Sequence, residues 1–186
     1  MSTKALTKPL LTAEDLWKIV ADGSRYELSK GELLPMTPIG LRHGQIAVKI
    51  ARKLSEFVDA GGLGIVGVEI GFKLAFAPDT VRAPDVAFVS RKRFPEGKIQ
   101  ETFADFPPDL AVEVLSPSDT TSAMLRKVAE YFAGHVPLVW VVNPATETVA
   151  VYLSTQEVKI VSAGEDLDGG AVLPGFRMQV AEVFAQ

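Results

Sequence analysis

Asp109-Leu110-Ala111-Val112-Glu113-Val114-Leu115-Ser116-Pro117-Ser118 places an ionisable residue inside an apolar run and ends that run in a Ser-Pro-Ser turn. Alternate residues of a strand share a face, so Leu110, Val112 and Val114 point one way and Ala111, Glu113 and Leu115 the other. Glu113 therefore takes a place that a core side chain would otherwise fill. After the turn, helical spacing runs to about Phe132 with Leu125, Val128, Ala129 and Phe132 on one side. Leu138 to Val142 then reads as a fully apolar strand closed by Asn143-Pro144. Strand, helix and apolar strand from Leu110 to Val142 predict a parallel βαβ crossover.

A second acid, Asp85, stands between Pro84 and the equally apolar Val86-Ala87-Phe88-Val89. Removing a carboxylate from water costs several kcal/mol unless a cation compensates it, so two such acids in one chain are expected to share a cation. The chain has no cysteine, which excludes disulfides and thiolate metal sites. Its two histidines, His43 and His135, lack ligand spacing and argue against zinc, whereas its 23 acidic residues leave oxygen ligands for magnesium or manganese. A hard cation held by Asp85 and Glu113, with oxygens about 2.0 to 2.1 Å away, would polarise a phosphodiester and acidify a bound water. A lysine to orient that water or offset transition-state charge is then wanted, and Lys127 shares a helix face with Tyr131 four residues on.

Outward from this centre, Thr12-Ala13-Glu14-Asp15 opens a short helix to Val20, with Thr12 as N-cap, and Asp22-Gly23 ends it. Ser29-Lys30-Gly31 predicts a hairpin turn between two short strands. From His43 to Asp59 apolar residues recur at helical spacing until Gly61-Gly62. Gly64 to Ile70, Phe72 to Phe76 and the Asp85 segment read as three strands. Arg91-Lys92-Arg93 leads into a polar loop with Pro95-Glu96-Gly97, Val149 to Leu153 and Val158 to Val161 form a late hairpin, and Gly164 to Gly170 reads as a mobile tail. The expectation is one α/β domain over residues 1–186, a mixed central sheet flanked by helices.

With 186 residues, 47% hydrophobic and 23% charged, the chain can bury a real core. Its net charge of −4 and pI of 5.3 have the wrong sign for holding nucleic acid by bulk attraction, so any such contact needs a local basic face. Arg91-Lys92-Arg93, or Lys49, Arg52 and Lys53, would supply one; otherwise they simply face solvent. No apolar stretch approaches the roughly 18 to 20 residues of a membrane span, and Met1-Ser2-Thr3-Lys4 lacks a secretory apolar core, so a cytoplasmic location is expected.

Several ordered motifs resemble the Uma-two family of restriction-endonuclease-like proteins, within the PD-(D/E)xK nuclease superfamily. They are Arg25-Tyr26-Glu27-Leu28, Gly31-Glu32-Leu33, Arg42-His43-Gly44, Arg82-Ala83-Pro84-Asp85-Val86, Asp109 to Ser118, Lys127 to Tyr131 and Val136 to Pro144. The resemblance spans roughly residues 12 to 180, and implies a restriction-endonuclease-like core over about residues 25–161 with an N-terminal helix and hairpin and a C-terminal hairpin added. It implies Asp85 as the "PD" acid, Glu113 as the "(D/E)" acid, the Val114 carbonyl as a further metal ligand, and Lys127 as the lysine displaced onto the following helix. It further implies a magnesium-dependent endonuclease acting on DNA, probed equally by manganese, and a homodimer if both strands are cut. Leu115 stands where the superfamily lysine falls, Ala123 where many relatives carry an acid, Asn143 where they carry aspartate, and His135 where glycine is usual.

Plainer readings exist for each residue. Asp85 fits a Pro-Asp turn acid capping a strand start, and Glu113 a salt bridge to Arg82 or Lys127 without catalysis. Glu32 and Glu69 are further candidate acids, or else partly exposed hairpin and strand residues. His43 fits the first turn of the long helix, in reach of a phosphate or as a surface or capping group. Ser116 and Ser118 read as helix N-caps, and Trp17 and Trp140 as packing residues. The alternative function is a catalytically inactive nuclease scaffold that binds nucleic acid or a protein partner, its acids neutralised internally. No Gly-x-Ser-x-Gly elbow, phosphate-cradling glycine loop or His-Glu-x-x-His helix supports a third class.

Overall fold

Thr12 starts the first helix as predicted. Its hydroxyl accepts from the Asp15 N–H at 3.2 Å, while the Asp15 carboxylate accepts from the Thr12 N–H at 3.0 Å, fixing α1 (Ala13–Val20). The computed structural model describes residues 9–94 and 97–185, so the Met1 to Lys4 segment and Pro95-Glu96 of the polar loop lie outside the described residues. The expected hairpin forms from β1 (Tyr26–Ser29) and β2 (Glu32–Pro35), its turn made by Lys30 at φ 49° and Gly31 at φ 80°. α2 (Leu41–Gly61) extends the predicted helix by two residues at each end and is closed by Gly62 in the left-handed conformation.

Where the sequence predicts three strands there are four: β3 (Gly64–Gly67), β4 (Phe72–Ala75), β5 (Thr80–Arg82) and β6 (Val86–Ser90). They belong to two sheets. β4 and β5 join the hairpin in a four-stranded sheet ordered β2-β1-β5-β4, while β3 and β6 enter the central sheet. The chain crosses from one sheet to the other through Ala83-Pro84-Asp85. Asp85 therefore sits at a junction between sheets, where backbone polar groups are left over for its side chain to bind, and not within a strand.

The central sheet is completed by β7 (Leu110–Val114), β8 (Val139–Asn143), β9 (Thr148–Tyr152) and β10 (Val158–Ser162), in the order β10-β9-β8-β7-β6-β3. β7 and β8 are parallel, joined through α3 (Thr121–Ala133) as predicted, and the other neighbours are antiparallel. α2 covers the face carrying Leu110, Val112, Val114, Trp140 and Val142, and α3 packs with Ala111, Val139 and Val141 on the other face. The α/β reading, a mixed central sheet flanked by helices, holds. No described helix is long and apolar enough to cross a membrane.

Three further expectations are corrected. Thr120, rather than Ser116 or Ser118, caps α3, its hydroxyl accepting from the Ala123 N–H at 3.2 Å. α3 is rotated from its apolar reading: Leu125 is 51% exposed, and Val128, Glu130 and Tyr131 are buried, because ionic pairing draws the polar stripe inward. The tail from Gly164 to Gly170 includes β11 (Asp166–Gly169), paired with β12 (Leu173–Gln179) and followed by α4 (Val180–Phe184). Leu167, Leu173, Phe176, Met178, Val180, Val183 and Phe184 enter the main core, each such burial contributing about 1.5 to 3 kcal/mol. Trp140 is fully buried as expected, whereas Trp17 is 42% exposed and lies edge-on to Phe103.

Candidate active site

The seam between the two sheets holds a cleft of about 300 Å³ whose walls include Asp85, Glu113, Val114, Lys127, His43 and Arg126. Asp85 reaches it from the junction before β6. Its Oδ2 accepts from the Val114 N–H at 2.7 Å, and its Oδ1 lies 2.9 Å from His43 Nε2. A carboxylate only accepts, so Nε2 carries a proton, and His43 Nδ1 lies 3.1 Å from Ser116 Oγ. The Val114 N–H points toward Asp85, and in an extended strand the carbonyl of the same residue faces the same side.

Glu113 projects from β7 toward α3. Tyr131 donates its hydroxyl to Glu113 Oε1, and Lys127 Nζ lies 2.8 Å from Oε2. The predicted pairing of Lys127 and Tyr131 on one helix face thus converges on this carboxylate. Lys127 also lies 3.2 Å from Glu27 Oε1 on β1. Behind it, Arg82 Nη1 donates to Glu27 Oε2 at 2.6 Å and Arg82 Nε to Glu130 Oε2 at 2.7 Å, while Ser29 Oγ donates to Glu130 Oε1 at 2.6 Å. The Ala83 N–H donates to Glu27 Oε1 at 2.9 Å, which ties the junction bearing Asp85 to the same network.

Burial raises the Glu113 carboxyl from its ordinary 4.5 to about 7; Lys127 opposes the shift, and the charges of Asp85 and Glu27 add to it. Burial also pushes Glu27 upward, but Lys127 and Arg82 outweigh it and hold that carboxyl below its usual range. For Lys127, burial favours the neutral amine, yet Glu113 and Glu27 prevail and raise its pKa, so it stays an ammonium. Burial, followed by the Glu113 charge, keeps the Tyr131 phenol protonated well beyond its normal range.

The structure gathers Asp85, Glu113, Val114, Lys127, Tyr131 and His43, and separates the two remaining candidates. Glu32 is exposed on β2 and does not line the cleft. Glu69 is paired with Arg25 on the surface. His43 occupies the first turn of α2 as expected, but is buried with both ring nitrogens bonded, instead of being a surface or capping group. Glu113 pairs with Lys127, while Arg82, its other expected partner, serves Glu27 and Glu130. Sequence reasoning missed the roles of Glu27 and Glu130. Glu130 follows Lys127 by three residues beside Tyr131, a stripe that marks an inward polar face once α3 is known to be rotated.

The donor set suits a hard divalent cation. Each of the four oxygens of Asp85 and Glu113 accepts one hydrogen bond and keeps a second lone pair. Among the described residues no group of three or more His, Asp or Glu side chains is disposed to hold a metal, so such an ion would rest on two carboxylates, a backbone carbonyl and water, as magnesium commonly does.

Comparison with known proteins gives this architecture a class: it is a nuclease fold. A solved structure from Anabaena variabilis ATCC 29413, described as "a putative nuclease belonging to DUF820", superposes with a TM-score of 0.82 at 17% identity, covering 94% of this chain and 97% of that one. The chain itself belongs to the Uma2 family, described as "Putative restriction endonuclease", whose model matches residues 13–181. No curated protein matches it.

Proposed function

We propose that this chain is a metal-dependent endonuclease that hydrolyses phosphodiester bonds in DNA. The observation that carries the reading is the meeting, in one cleft, of two acids from separate segments with a lysine 2.8 Å from one of them. Asp85, Glu113 and the Val114 carbonyl would hold magnesium or manganese, and that ion when bound supplies Lewis-acid polarisation of the phosphoryl group and a more acidic water. The chain's own residues prepare the rest. His43 and the Val114 N–H fix both oxygens of Asp85, and Tyr131 and Lys127 fix both of Glu113. Lys127, held by two acids, keeps a positive charge where a phosphoryl oxygen gains negative charge in the transition state.

A homodimer is part of this reading, because cutting both strands of a duplex needs two sites, and the reaction is placed in the cytoplasm. The test is cleavage of supercoiled plasmid with magnesium or manganese by wild type, Asp85→Ala and Lys127→Ala. Wild type is expected to nick or linearise the plasmid while both variants lose the activity. Equal cleavage by all three rejects the assignment.

A further inference from the structure

Among the described residues, one cation of the cleft has no partner. Arg82 is bonded to Glu27 and Glu130, Lys127 to Glu27 and Glu113, and His43 to Asp85 and Ser116. Arg126 lines the same cleft, is exposed on α3, and among the described residues makes no hydrogen bond or ion pair. Acids are within its helical neighbourhood, so this is not for want of charge nearby. Glu130, four residues on and normally its natural partner, is turned into the protein toward Arg82 and Ser29. Asp119, which also lines the cleft, accepts from the Ser116 N–H instead. One turn earlier Ala123 offers no acid.

We propose that Arg126 binds a backbone phosphate of the nucleic-acid strand lying in this cleft, an inference that rests on the nuclease reading. A guanidinium presents a planar fork that matches two phosphate oxygens and loses no charge at any working pH. Among the described residues Arg82 and Lys127 are tied to buried acids and His43 to Asp85, so Arg126 is the group there that can release counterions from the substrate. In a chain of net charge −4, that contact is the local positive site which bulk electrostatics does not provide.

The experiment is single-turnover cleavage of labelled duplex DNA with magnesium and excess enzyme, across about 50 to 200 mM salt. Arg126→Ala is expected to raise the half-saturating enzyme concentration about tenfold or more, the size of a charged hydrogen bond, with little change in plateau rate. The slope of log affinity against log salt should shrink by about 0.9, one phosphate contact. Arg126→Lys should keep that slope and recover part of the affinity, since it restores the charge without the fork. Unchanged half-saturation and slope in Arg126→Ala would overturn the proposal, as would a lowered plateau at unchanged half-saturation. If wild type cuts no DNA, the nuclease reading fails and takes this inference with it; if wild type cuts and Arg126→Ala behaves identically, only the inference fails.

Discussion

Glu27 and Glu130 belong to the same buried charge cluster as Asp85 and Glu113, yet the two pairs are satisfied in opposite ways. Glu27 and Glu130 grip Arg82 between them, and Lys127 adds to Glu27. Their charges are answered inside the protein. Asp85 and Glu113 are oriented by a histidine, a backbone N–H, a tyrosine and the shared lysine, and among the described residues Lys127 is the only lysine or arginine bonded to either of them. The difference is legible in the two carboxyls that flank Lys127: Glu27 is held below its usual pKa and Glu113 raised to about 7. One pair is closed around Arg82, whereas in the other Glu113 is the carboxyl that burial and neighbouring acids push upward.

Substitutions can break this contrast. The largest expected effect is Arg82→Ala, which leaves buried Glu130 without a cation and Glu27 with Lys127 alone, and should cost about 3 to 5 kcal/mol in urea unfolding. Next, Lys127→Ala should lower cleavage about 10²- to 10³-fold, the usual loss when one transition-state donor is removed. Asp85→Ala should match or exceed that loss without the stability penalty of Arg82→Ala, because Asp85 is partly open to solvent.

The pH dependence has opposite signs on the two sides. A raised carboxyl pKa means the folded protein keeps a proton that the unfolded chain has released. Glu113 thus contributes stability that is present below about 4.5 and lost as pH rises through about 7. Glu27, with its lowered pKa, contributes stability present above its ordinary 4.5 and lost as pH falls through its folded value. In thermal melts without divalent ions, wild type should lose more stability between pH 5 and 8 than Glu113→Gln does, and magnesium should shrink that difference. The smallest effects belong to acids outside the cleft: Glu32→Ala and Glu69→Ala should change cleavage by no more than about twofold, as surface substitutions usually do.

Much of the contrast was readable in the sequence. Period and caps gave α1, the hairpin and α2, and the apolar runs bracketing α3 gave the parallel crossover, because these signals are local. A carboxylate inside Leu110 to Leu115 announced itself by violating its surroundings. What stayed hidden depends on distant partners. Nothing in Phe72 to Arg82 says that two strands pair with the hairpin rather than the central sheet, and so the junction position of Asp85 could not be read. Asp166 to Gly169 reads as loop in sequence because only Leu167 and Gly169 of that strand are buried, and its pairing partner lies beyond a turn. The apolar residues of α3 predict one inward face, whereas its actual inward face includes Lys127, Glu130 and Tyr131, whose burial makes sense only beside Glu27, Arg82 and Glu113.

The most direct test is calorimetric titration with manganese and magnesium of wild type, Asp85→Asn and Glu130→Gln. The charge-deficient pair should give wild type one ion site per chain, abolished in Asp85→Asn and retained in Glu130→Gln. Absence of binding in wild type, or equal binding in Asp85→Asn, would mean that these acids are neutralised internally like Glu27 and Glu130, and that the fold is an inactive scaffold.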